Sequence, residues 1–168
     1  MKRILLLFSF ILLIHSGLLG QKPQTSAQGH YSEVDLTVNG IKSGSSYSSI
    51  LNKIGKPIKV KKAGFNECGG GFIKTLVYKG LEIAVLSNGK GRNSKVISMK
   101  VTSSRWRIAP SVKIGVTKEV IRSLFGNSGG GYPDENVFDY VTKDNLGGVK
   151  FYFKGNILIR VEMQETLC

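Results

Sequence analysis

The chain writes one pattern twice. Residues 44–57 read GSSYSSILNKIGKP and residues 115–128 read GVTKEVIRSLFGNS, so that Gly44 and Gly55 match Gly115 and Gly126. Between the glycines the apolar residues keep helical spacing: Ile50 and Ile54 match Ile121 and Phe125 at i, i+4, one buried stripe on a helix of two to three turns. Ser46 and Thr117 stand where an N-cap hydroxyl accepts a bond from an unpaired backbone N–H. The second glycine of each segment stands where a left-handed residue stops a helix. Helices this short do not persist alone, so each must pack on something.

The partner follows in each copy. Thr75–Tyr78, Leu81–Leu86 and Lys95–Val101 read as strands after the first helix, and Val137–Tyr140, Val149–Phe153 and Ile157–Met163 after the second. Lys79-Gly80, Asn88-Gly89 and Lys154-Gly155-Asn156 supply turn chemistry between them. Period-2 alternation gives one apolar face made of Leu81, Ile83, Val85, Ile97, Met99 and Val101, then Val149, Phe151, Phe153, Ile159, Val161 and Met163. The expected fold is α+β: two tandem helix-plus-three-strand antiparallel repeats at residues 34–102 and 112–168, joined by a linker at 103–111, with the helices on one face. A strand at Val34–Val38 is expected to precede the first helix. Either repeat alone is marginal as a core, and a shared sheet would remedy that.

The first twenty residues read as a signal peptide. Lys2 and Arg3 precede a run from Ile4 to Ile14 that is almost unbroken Leu, Ile and Phe. That run stops at His15, short of the roughly 20 apolar residues a membrane span needs. Cleavage after Gly20 is expected, with a second option after Ala27; the competing reading is an uncleaved anchor. Residues 21–33 read as a flexible leader carrying His30. Export, secreted or periplasmic, puts Cys68 and Cys168 in an oxidising compartment, where a disulfide is the expected state. The rival is a reactive thiol beside Gly69-Gly70-Gly71, and two cysteines cannot close a zinc site.

Chemistry-bearing residues are few. The two histidines, His15 and His30, both precede the folded part, which leaves no Ser/His/Asp or Cys/His arrangement. Asp134, Glu135, Asp139 and Asp144 could pair as acid and base or hold a cation, but acids in a glycine-rich loop are ordinarily solvated turn residues. Gly69–Gly71 and Gly129–Gly131 lack the strand, helix and Lys context of a phosphate loop. No catalytic residue, cofactor or metal is expected. A binding surface is, because the face opposite the helices takes Glu82, Lys100, Lys150, Tyr152, Arg160 and Glu162, with Arg105-Trp106-Arg107 just after a strand. In a chain of formal charge +13, such a face suits an acidic protein or an anionic surface, and Lys100, Arg105, Trp106, Arg107, Lys150, Tyr152 and Arg160 are the candidate contacts. Against this stands Trp106 as a core residue and the cations as solubilising charge. Lys59, Lys61 and Lys62 read as a solvated strand or loop. Export disfavours nucleic acid as the partner.

The pattern Gly-x-Ser/Thr, short helix, Gly-x-Pro, Leu-x-Tyr, strand, turn and Val-x-x-Ile/Met resembles the tandem-repeat fold of β-lactamase inhibitory proteins and of outer-membrane assembly lipoproteins of the BamE/SmpA type. Gly44-Ser45-Ser46, Gly55-Lys56-Pro57 and Leu76-Val77-Tyr78 carry it in the first copy; Ser128 and Phe138-Asp139-Tyr140 stand at the matching places in the second. The resemblance covers roughly residues 34–164. What it implies is the fold; the function expected from the exposed sheet face is binding of a protein or envelope component, and the alternatives are an envelope-assembly role like that of the BamE-type lipoproteins and a small hydrolase using Asp139 or Asp144.

Overall fold

The computed structural model describes residues 30–31, 36–88, 94–108, 111–128, 135–142 and 147–168. In chain order the elements are β1 (His30–Tyr31), α1 (Tyr47–Ile54), β2 (Lys59–Asn66), β3 (Gly71–Tyr78), β4 (Leu81–Ser87) and β5 (Ser94–Val101), followed by α2 (Lys118–Phe125), β6 (Val137–Thr142), β7 (Gly147–Lys154) and β8 (Ile157–Glu165). The fold is α+β. Seven strands form one antiparallel sheet in the order β6-β7-β8-β5-β4-β3-β2, and β1 adds a two-residue parallel edge beside β6. The expected signal peptide and most of the leader lie outside the described residues; His30 and Tyr31, placed in that leader, pair with Val141 and Thr142.

Both helices form where the spacing put them. Each has eight residues, too few to hold alone, and each is anchored by one fully buried isoleucine, Ile50 and Ile121. Burying one such side chain contributes roughly 1.5–3 kcal/mol, enough to dominate the balance for a helix of two turns. Ser46 Oγ accepts from the Ser49 N–H at 3.1 Å, as an N-cap should. Thr117 has the cap backbone but not the cap bond; its hydroxyl goes to the Glu119 carboxylate instead. That carboxylate also accepts from Asn156 Nδ2 at 3.0 Å, tying the start of α2 to the β7–β8 turn. Asn156, Thr117 and the Glu119 backbone together hold the Glu119 pKa down to about 2. Gly55 and Gly126 close the helices at φ of 80° and 77°, a region a Cβ disfavours.

The same hydrogen bonds recur in the two halves. Tyr78 Oη donates to the Gly55 carbonyl at 3.0 Å, and Tyr140 Oη to the Gly126 carbonyl at 2.9 Å, so a strand tyrosine holds the C-cap of each helix. Ahead of α1, the Gly44 N–H reaches the Val96 carbonyl and the Val96 N–H reaches Ser45; ahead of α2, Gly115 and Val116 do the same with Leu158. These bonds fall at β-bulges, between Ala84 and Val85 against β5 and between Tyr152 and Phe153 against β7's partner β8. Alternation alone put Ile97 and Ile159 on the apolar face; Ile97 is buried at 6% exposure, and Ile159 is not. Each is the extra residue of its bulge, unpaired in the ladder, while Val96 and Leu158 take the core positions at 0% exposure. Ile159 is turned out to solvent, 45% exposed. The remaining residues of the expected apolar face are buried.

Three further expectations are corrected. The first half has four strands rather than three, because β2 continues the sheet beyond β3 with nearly every residue exposed. Its Lys59, Lys61 and Lys62 line an open edge, where charge opposes edge-to-edge association. The described part of the expected Val34–Val38 strand, residues 36–38, is not a strand: Val38 makes only isolated bridges to Ile41 and Ile108, and Val34 and Asp35 lie outside the described residues. The linker is part of the core, since Trp106 and Ile108 are buried with Val38, Ile41 and Val112 on the helical face.

Cys68 in the β2–β3 turn and Cys168 form a disulfide, their Cα atoms 5.3 Å apart. The chain beyond β8 therefore runs past β5 and β4 to reach the far hairpin, fastening one half to the other. The closed loop spans 100 residues, for which chain entropy gives about 4.7 kcal/mol as the upper stabilisation. Guanidinium denaturation of the paired Cys68→Ser, Cys168→Ser variant is expected to show the folded baseline intact and stability lower by several kcal/mol, up to that figure. Tyr140 yields a pH prediction. Burial pushes its phenol up to about 12, so its contribution is complete below pH 10 and is lost as pH climbs toward 12. Tyr140→Phe is expected to cost about 1 kcal/mol at neutral pH through the lost bond to Gly126, and to flatten the alkaline decline of the melting temperature.

Candidate binding face

One side of the sheet carries the helices; on the other, Leu86 is buried next to Gly69 of the β2–β3 turn. Core strand residues flank each outward residue, so alternation turns Asp139, Lys150, Glu162, Lys100, Glu82 and Val77 to the side away from the helices. Pairing sets these residues in a single row across the strands: Asp139 opposite Lys150, Lys150 opposite Glu162, Glu162 opposite Lys100, Lys100 opposite Glu82, Glu82 opposite Val77, and Val77 opposite Lys59. The result is a transverse ladder of alternating charge across five strands. Its ion pairs include Lys150–Asp139 at 3.3 Å and Lys100–Glu162 at 3.9 Å, with Lys61 reaching Glu82 diagonally at 3.2 Å. Opposite charges directly across strands contribute roughly 0.2–1 kcal/mol per pair, and these are half-exposed, so the lower part of that range applies.

Glu162 is the busiest member. Its Oε2 accepts from Tyr152 Oη at 2.9 Å, its Oε1 lies 3.3 Å from Arg160 Nε, and Lys100 approaches the same oxygen. The Arg160 guanidinium carbon stacks 3.6 Å from the centre of the Tyr152 ring, across the strand pair that sets these two residues opposite each other. Burial raises the Tyr152 pKa, and the Glu162 carboxylate adds to the rise. Apart from Gln164, the neighbouring row is of small residues, Gly148, Ser98, Ala84 and Thr75.

The seven candidate contacts part company. Lys100, Lys150, Tyr152 and Arg160 come together on this face. Trp106 does not: it is a core residue, 6% exposed, its Nε1 donating to the Lys79 carbonyl at 2.9 Å and its ring set edgewise against Tyr78. Arg105 and Arg107, exposed on either side of it, belong to the linker on the helical side, with Arg105 stacked on the Trp106 ring at 5.2 Å. The expected predominance of basic residues is also tempered, since Glu162, Glu82 and Asp139 interleave the cations. Of the acidic cluster, Asp139 is taken up by Lys150 and by the Ser128 hydroxyl at its backbone, Glu135 is exposed in a turn, and Asp134 and Asp144 lie outside the described residues.

A second feature is a cavity of about 230 Å³ under the residue 42–44 loop, lined by Val96, Met99, Val149 and Met163 with Ser43 and Glu165; the sequence put Met99, Val149 and Met163 on the apolar face but gave no sign of a cavity there. Glu165 there bonds Ser43 Oγ at 2.8 Å and Lys95 Nζ at 3.0 Å. No group of three or more metal-ligating side chains gathers among the described residues, and no helix among them is long and apolar enough to cross a membrane.

No family model and no curated protein matches this chain. A crystal structure of an extracellular protein containing an SCP domain from Bacillus anthracis str. Ames is similar at 15% identity and a TM-score of 0.48, over 89% of this chain and 51% of that protein. The chain thus spans about half the length of that protein.

In Glu162→Gln the Tyr152 phenol is expected to ionise at lower pH than in the parent, as followed by tyrosine absorbance or ring carbon shifts. The fall should be partial, because burial is the larger cause of the raised value. An unchanged titration would mean that Glu162 does not organise this cluster.

Proposed function

We propose that this chain is an exported, non-enzymatic binding protein that engages a protein or anionic envelope component through the open face of its sheet. The single observation that carries the reading is the half-exposed charge ladder on the face away from the helices: five strands wide, with the described helices and linker on its other side and a Tyr–Arg stack inside it. A broad surface of fixed, alternating charge is matched by another broad surface of complementary charge, and it discriminates by register more than by net attraction. Tyr152 and Arg160 are residue types that carry energy at interfaces, Tyr through rigid amphipathic area and Arg through its planar fork.

The reading includes a duplicated architecture: two copies of one unit, of the kind seen in β-lactamase inhibitory proteins and BamE-type lipoproteins. The paired tyrosine clamps, the loop bonds to Val96 and Leu158 and the two matching bulges support it, each falling 62 or 71 residues after its counterpart according to position in the unit. Export is supported by the cationic, apolar start of the chain and by the disulfide, which persists in oxidising compartments.

The test is capture from envelope extract by the purified mature chain and by its Lys150→Ala, Tyr152→Ala, Arg160→Ala triple variant. All three side chains are partly or fully exposed, so the variant is expected to fold and to melt near the parent. A partner retained by the parent should be lost at least tenfold in the variant. Equal retention by both would overturn the sheet-face reading.

A further inference from the structure

We infer that the helical side of this protein carries a separate anion site, a basic pocket built from Arg105, Arg107 and Lys113 that takes a phosphate-bearing ligand. The pocket is a hollow of about 590 Å³ where the linker meets the Val38–Ile41 turn, and Thr37, Asn39 and Ser104 complete its polar lining. None of the described lining residues is acidic. That sets it apart from the open face. There, Lys61, Lys100, Lys150 and Arg160 each have a carboxylate within 4 Å, whereas Arg105, Arg107 and Lys113 have none among the described residues. Three like charges round one hollow repel one another, and a multivalent anion between them removes that cost.

The frame that holds the cations is rigid. Asn39 and Gly40 occupy a tight turn with φ of 49° and 75°, closed in both directions by bonds between Val38 and Ile41 of 2.8 and 2.9 Å. The Arg107 backbone is clamped to that turn twice, its carbonyl accepting from the Asn39 N–H at 3.0 Å and its N–H donating to Asn39 Oδ1 at 3.1 Å. With Oδ1 so engaged, Asn39 has its amide N–H groups left to give. Trp106, buried between the two arginines in sequence, acts as the peg that turns both outward, and its ring seats the Arg105 guanidinium. Lys53 adds a further cation beside the pocket by donating to the Gly40 carbonyl. The lining residues bring guanidinium, ammonium, hydroxyl and amide groups to one hollow, and none of those described carries a carboxylate. Two planar guanidinium forks with an ammonium match the several oxygens of a phosphate group better than a single carboxylate. The volume leaves room for whatever the phosphate is attached to.

The probe is inorganic pyrophosphate, titrated calorimetrically into the full mature chain at about 0.15 M salt, where attraction between well-separated surface charges is largely screened. The variants are Arg105→Ala, Arg107→Ala and, as a match in charge, Lys150→Ala, Arg160→Ala on the open face. The first is expected to weaken pyrophosphate binding at least tenfold, and the second less than twofold; Lys113→Ala, which leaves both flanks of Trp106 untouched, should fall between them. Flotation with vesicles of phosphatidylcholine, with and without phosphatidylglycerol, separates the sources. Recruitment to the anionic vesicles that is lost in Arg105→Ala, Arg107→Ala identifies a lipid headgroup, and pyrophosphate binding without recruitment identifies a soluble phosphate ester. Equal weakening by the two charge-matched variants, or binding of neither probe by the parent, would overturn the site. The open-face variant keeps this outcome distinct from the capture experiment, since either surface can fail while the other stands.

Discussion

The pairing of β5 with β8 is the contact on which the rest of the molecule depends. Four residue pairs make it: Ser98 with Gln164, Met99 with Met163, Lys100 with Glu162, and Val101 with Val161. On the covered side it sets Met99 against Met163 and Val101 against Val161, so that two cores too small to stand alone become one. On the open side the same four pairs place Lys100 beside Glu162, without which the charge ladder would be two short fragments. The disulfide acts along the same line. By carrying the chain from the end of β8 across to the β2–β3 turn, it restrains separation of the halves at the point where β5 and β8 would part.

Much of this architecture was legible in the sequence because it follows from period. The 3.6-residue stripe set both helices to within a residue, and the 2-residue alternation found six of the strands. Alternation failed where two apolar residues stand side by side. Val96-Ile97 and Leu158-Ile159 look alike from either parity, and what decides between them is the demand of a distant loop for the N–H and C=O of Val96 and Leu158. That demand is tertiary, so it leaves no local trace. The strand β2 was only half legible for a related reason: a strand exposed on both faces has no buried period to show. Val34–Val38 erred in the opposite sense, since its described apolar residues, Leu36 and Val38, are buried without belonging to a ladder.

The open face was legible residue by residue but not as a pattern. Lys100, Lys150, Tyr152 and Arg160 could be turned outward from their buried neighbours alone. The ladder required strand order, and order in a sheet that closes β8 onto β5 cannot be read from hairpin turns. Trp106 was harder, because the alternation of β5 ends at Val101 and a linker has no period to extrapolate. Its burial is a matter of space left beside Tyr78 and under Lys79, which only the assembled core defines.

The two surfaces differ in how they treat the same excess of positive charge. Along the ladder each cation is met by a carboxylate a few ångströms away, so the field of that row falls off quickly and its influence on a partner is confined to contact distance. On the proposed reading, such a surface contributes to the choice of partner at contact distance. Around Arg105, Arg107 and Lys113 no such cancellation occurs among the described residues, and their fields add over the range of a Debye length. A chain of formal charge +13 could have spread its cations evenly. Strand register instead compensates Lys100 and Lys150 in the middle of the sheet, while Lys59 and Lys62 on the edge strand and the linker cations have no ion pair among the described residues. If both proposals hold, attraction and discrimination fall to opposite sides of one sheet, with Trp106 and the paired β5 and β8 between them.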